Sequence, residues 1–88
     1  MDRNIPIDVI ASCMASGQMQ PLRFRMESED GQLMRVNITE VISVREVAYV
    51  GIEAIIFLCQ AEVEEKRHLF ELRYTVRSHQ WDLMRWVY

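Results

Sequence analysis

Apolar and polar residues alternate from Leu22 to Glu27 and again from Met34 to Thr39, on either side of the tripeptide Glu29-Asp30-Gly31. Period-two alternation with one apolar set is the mark of a half-buried strand. Two such runs around a short polar loop predict a β-hairpin. Its register can be tested by asking which residues meet. A two-residue Asp30-Gly31 turn would set Phe24 against Asn37 and Met26 against Arg35, mixing core and solvent on one face. A three-residue loop, Glu29-Asp30-Gly31, sets Leu22 against Ile38, Phe24 against Val36 and Met26 against Met34. Every core residue then meets a core residue. Gly31 would take the left-handed conformation after a type I turn.

Further strands follow from the same pattern. Ile7–Ser12 reads as a short first strand, separated from the hairpin by a loop that Gly17 and Pro21 punctuate. In Ala54–Val63, the residues Ile55, Phe57, Cys59, Ala61 and Val63 share one face, while Ile56 and Leu58 lie on the other. His68–Val76 turns Phe70, Leu72, Tyr74 and Val76 inward. A four-residue loop, Glu64–Arg67, would join these two strands with Val63 opposite His68 and Cys59 opposite Leu72. Trp81–Tyr88 is the last strand, with Trp81 and Trp86 as packing anchors. Residues 40–54 are ambiguous. Val41, Val44, Val47 and Ala48 have helical spacing, whereas their β-branched character favours extended chain. The third strand is expected to end near Val44, with a turn or short helix up to Gly51.

The sum is an all-β domain spanning 1–88, a small, mostly antiparallel six-stranded barrel or strongly bent sheet. Curling removes the exposed edges that a small sheet would otherwise present. An α+β variant with a short helix near 45–51 is the fallback. Eighty-eight residues make one domain, with a modest core.

Composition bears on function mainly by exclusion. A net charge of −3 argues against general nucleic-acid binding. No signal-peptide pattern opens the chain, and no apolar run approaches a membrane span. The expectation is a cytoplasmic protein with reduced thiols, Cys59 being part of the core. No cysteine or histidine pair has metal-ligand spacing, and no phosphate loop, nucleophile elbow or paired-carboxylate pattern occurs. A non-enzymatic protein without metal or cofactor is expected.

Lys66 is the only lysine beside nine arginines. In the chosen hairpin register Arg25 faces Arg35 on the outer side, with Arg23 opposite Asn37. Like charges directly opposite destabilise a sheet, so something must offset them. Glu27, diagonal to Arg35, is one candidate. A bound anion is the other, since forked guanidiniums suit phosphate and carboxylate. With Arg73 and Arg77, these arginines define a candidate anion or nucleic-acid face. Small barrels can bind single strands through basic grooves with stacking aromatics, here Tyr74, Trp81, Trp86 and Tyr88. The simpler reading is a solvated strand face above core aromatics. Ile56 and Leu58 form an apolar patch on the outer side that needs cover. The first strand, the Met14–Met19 loop or a second copy in a homodimer would supply it.

The segments Gln20–Arg25, Asp30-Gly31, Phe57–Ala61, Phe70–Tyr74 and Trp81–Trp86 together resemble a family of small uncharacterised single-domain proteins of Gram-positive, clostridia-like bacteria, often found in mobile or integrated genetic elements. The resemblance implies a bacterial, cytosolic setting and no particular activity. Val63–Phe70 lacks the glycine or asparagine turn that the family pattern leads one to expect. Two functions follow as expectations. The first is a small adaptor domain acting through contact with a protein partner or with itself. The alternative is a nucleic-acid-associated barrel using Arg23, Arg25, Arg35, Arg73 and Arg77.

Overall fold

The computed structural model describes residues 4–88. Its described residues are all-β and contain seven strands, β1 (Ile5–Pro6), β2 (Asp8–Cys13), β3 (Met19–Glu27), β4 (Leu33–Tyr49), β5 (Ile52–Val63), β6 (Lys66–Thr75) and β7 (Gln80–Trp86). They form one antiparallel sheet in the order β1-β7-β6-β5-β4-β3-β2. The two ends of that order are consecutive in the chain. β1 pairs with β7, β2 pairs with β3, and only Ile7 stands between them. The Ile7 amide still donates to the Trp81 carbonyl at 3.1 Å. The single first strand expected at Ile7–Ser12 is therefore longer and is shared between both edges of a curled sheet.

The β3–β4 hairpin has the predicted register. Arg23 faces Asn37, Phe24 faces Val36, Arg25 faces Arg35 and Met26 faces Met34. Ser28 and Gln32 close the three-residue loop, and Gly31 has φ +83°. The expected meeting of Leu22 with Ile38 does not occur. The β3–β4 ladder ends at Arg23, and a bulge between Ile10 and Ala11 shifts the β2–β3 register. Pro21 is buried and Leu22 exposed in consequence.

β4 departs furthest from expectation. No helix forms at 45–51, and the strand continues to Tyr49. Seventeen residues of straight strand would reach roughly 56 Å, yet the molecule is 36 Å along its longest axis. Bulges between Ile38 and Glu40 and between Val41 and Ser43 provide the bend. They also explain the helix-like spacing: one extra residue turns a period of two into the Val41-to-Val44 step of three. β4 then turns into β5 through Val50 and Gly51, with φ +52° and +78°. Two left-handed residues match a type I′ hairpin, whose twist suits the flanking strands.

The β5–β6 register also differs from the expected one. The loop is two residues, Glu64-Glu65, both at positive φ. Val63 therefore meets Lys66, Cys59 meets Phe70 and Phe57 meets Leu72. The slip is by two residues, so each side chain stays on its predicted face.

The concave side holds the core. Phe24, Val36, Phe57, Cys59, Ala61, Phe70, Leu72 and Leu83 are buried there. Phe24 from β3 and Phe70 from β6 meet edge to face at 5.3 Å, and Phe70 stacks on Trp86 at 5.2 Å. Trp81 packs on Phe57 and Tyr74. Both tryptophans thus anchor β7 to the core. Cys59 is fully buried, and burial pushes its thiol pKa up to about 12.

Candidate functional site

Three features of the outer surface follow from this frame. The first is the arginine face. Arg25 and Arg35 do lie directly opposite each other. The charge beside them is Asp8, which β2 places opposite Arg25 and whose carboxylate accepts from the Arg25 guanidinium at 3.0 Å. Glu27 makes no ion pair with them among the described residues. Arg23, Arg25, Arg35, Asp8 and Ile10 line a shallow hollow of about 330 Å³.

Arg73 and Arg77 are elsewhere. Arg73 sits in the middle of the β5–β6–β7 outer face, opposite Ile56, and binds Asp82 at 2.9 Å. Arg77 lies in the β6–β7 turn and is exposed. Ile56 faces Arg45 of β4 as well as Arg73, so the second group of arginines is separated from Arg35 by the bulged stretch of β4. The five arginines form two groups rather than one stripe. Of the four aromatics named with them, Tyr74, Trp81 and Trp86 pack on the core side. Tyr88 is exposed and accepts from Arg67.

The second feature is an apolar groove of about 410 Å³ around the predicted patch, lined by Val47, Ile52, Ala54, Ile56, Thr75 and Met84 between Arg45 and Arg73. Ile56 is only 4% exposed, and Leu58 is half-buried. Neither the first strand nor the Met14–Met19 loop lines this groove; Met84 of β7 and the two arginine side chains do. Long arginine stems cover apolar surface while their heads stay wet. An ionic ladder borders the groove. Glu71, 9% exposed, accepts from Arg85 at 2.6 Å and lies 3.8 Å from Arg45.

The third feature was not read from the sequence. β4 leaves β3 after Asn37, and from Ile38 to Tyr49 its only ladder partner among the described residues is β5. The opposite edge of this stretch is open. Ile42 and Val44 are exposed along it, Val44 by 53%. From Ser43 to Tyr49 the β4–β5 pairing runs without a register shift, so the available edge is regular there. Exposed Val50 at the turn and Ile52 beyond it continue the apolar character. The bulges that could have revealed this edge leave only the three-residue valine step as a signal.

A cleft of about 610 Å³ at the β1–β2 corner, lined by Asp8, Arg25, Glu27, His79 and Trp81 among others, completes the surface. Tyr74 and His79 are hydrogen-bonded at 2.8 Å beside it. Among the described residues no group of three or more histidine, cysteine, aspartate or glutamate side chains is placed to hold a metal ion. No helix among the described residues is long and apolar enough to cross a membrane. Compared with protein-family models, curated proteins and solved structures, the chain matches none.

Proposed function

We propose that this chain is a small, non-enzymatic, cytoplasmic binding domain that works through protein–protein contact. The observation that carries the reading is the open edge of β4 from Ile38 to Tyr49. Unpaired strand edges accept extended segments of other chains, whose main-chain hydrogen bonds supply affinity. The test is a photo-crosslinking residue placed at Val44, with Leu33 as an exposed control on the same strand. The reading expects adducts with another polypeptide from position 44 and none from position 33. Equal labelling from both positions, or none, would remove it.

A second reading has its own observation. Arg23, Arg25 and Arg35 share one hollow and bring two facing guanidiniums against the single carboxylate of Asp8. A phosphate backbone would suit that excess of charge. Single-stranded oligonucleotide binding at several salt concentrations, with Arg25→Ala/Arg35→Ala alongside, tests it. Binding that the double substitution abolishes and that falls steeply with salt supports this reading; no binding at low salt removes it.

A further inference from the structure

We infer that the open β4 edge takes an extended peptide carrying one basic and one acidic residue side by side between two aliphatic residues. This rests on the strand-addition reading above and specifies its partner. The regular part of the edge is Ser43–Tyr49. Within it Arg45 points to the outer face, toward the groove around Ile56. Glu46, its neighbour, points to the other face, beside Ile55 and Val76. Val44 and Val47 flank the pair. Glu46 makes no ion pair among the described residues, and Arg45 reaches Glu71 only at 3.8 Å. Directly opposite residues of neighbouring strands share a face and interact, so an added strand feels both charges. It must offer an acid opposite Arg45 and a base opposite Glu46. In the antiparallel sense of the other ladders, the partner then reads aliphatic–base–acid–aliphatic.

A second copy of the chain does not meet this requirement. Two copies joined at this edge are related by a two-fold axis perpendicular to the sheet, which keeps every side chain on its own face. Arg45 therefore cannot meet Glu46 of the other copy. Centring the pair on residue 45 opposes two arginines, and centring it on residue 46 opposes two glutamates. Shifting to the bulged stretch brings Glu40 opposite Arg45, but only by setting bulge against bulge, where the ladder is broken. Centring the pair on residue 47 avoids these clashes but leaves Arg45 and Glu46 without an opposite charge, so within the regular stretch only a different chain satisfies both.

The experiment uses four labelled dodecapeptides whose central residues are Val-Lys-Glu-Val, Val-Lys-Lys-Val, Val-Glu-Glu-Val and Val-Thr-Thr-Val. Binding is followed by anisotropy, and amide exchange in β4 locates the contact. Wild type is expected to bind Val-Lys-Glu-Val about fivefold more tightly than either like-charged peptide, since one cross-strand pair changes from attraction to repulsion. Arg45→Glu should transfer the preference to Val-Lys-Lys-Val, and Glu46→Arg to Val-Glu-Glu-Val. The two variants' preferences hold for either strand direction, because their peptides carry one charge at both central positions; the wild-type preference for Val-Lys-Glu-Val belongs to the antiparallel direction. Slowed exchange at residues 43–49 with equal affinity for all four peptides would overturn the charge requirement and leave strand addition standing. No slowing of β4 exchange by any peptide would overturn both. A concentration-dependent dimer that protects the same amides without peptide would make the second copy the occupant and overturn the inference.

Discussion

The contact between Phe24 and Phe70 joins the two halves of the curled sheet, and its strength can be measured. Phe24 belongs to the β2–β3–β4 part and Phe70 to the β5–β6–β7 part, with ring centroids 5.3 Å apart at an interplanar angle of 66°. Both rings are essentially inaccessible to solvent. Replacing either by leucine keeps an apolar side chain but loses ring volume and the edge-to-face geometry. Each single change is expected to cost about 1–2 kcal/mol. The double change should cost less than the sum by ~0.5–1.5 kcal/mol, the part that belongs to the aromatic pair. A domain of this length has about 4–13 kcal/mol of stability in all, so the singles stay folded and the cycle can be closed. The assay is urea unfolding followed by tryptophan fluorescence, Trp86 stacking directly on Phe70. Additivity within ~0.3 kcal/mol would refute the claim that this contact couples the halves.

Three other changes follow from local geometry. Val50→Asn converts a β-branched residue at φ +52° into an Asn-Gly turn and should raise stability by about 1 kcal/mol, read as a higher urea midpoint. Cys59 keeps its proton in the folded state up to about pH 12, whereas the unfolded thiol loses it near 9.0. Stability should therefore fall as pH rises above 9, by up to ~1.4 kcal/mol per pH unit from this group, and Cys59→Ala should remove that component of the slope. Exposed Cys13 should react with a thiol reagent at once while Cys59 waits for unfolding. The Ser28 hydroxyl, followed by the Gln32 amide, holds the Asp30 carboxyl below its usual pKa, so Ser28→Ala should move its NMR titration upward.

The parts of this fold that were legible in the sequence are those whose geometry is local. The β3–β4 register could be deduced because Gly31 supplies the one conformation that a three-residue loop needs, and the alternative mixed core with solvent. The β5–β6 register could not, because Glu64 and Glu65 adopt left-handed backbone that neither residue type advertises. Even so, the faces survived, since a slip by two preserves alternation. β4 reads as a turn or helix after Val44 in the sequence because its bulges shift the phase of the apolar pattern. The site divides in the same way. That Arg25 faces Arg35 is a hairpin property and was foreseen. That Asp8 pairs with Arg25 depends on the bulge between Ile10 and Ala11, which sets the β2–β3 register. The distance of Arg73 and Arg77 from the hairpin arginines, and the open edge of β4, are products of where the sheet bends.

The division of the first strand at Ile7 ties the order of synthesis to the order of folding. Ile5 and Pro6 are made well before their partners Leu83 and Asp82, with five of the seven strands in between. Local hairpins such as β3–β4 and β5–β6 can form while the chain is still emerging. β1 and β7 cannot pair until both have appeared, and joining segments so far apart in sequence is the slow kind of contact. Until then the edge of β7 is an unpaired strand. Anything that holds Gln80–Trp86 in the ribosome exit tunnel therefore delays the step that hides that edge from other chains.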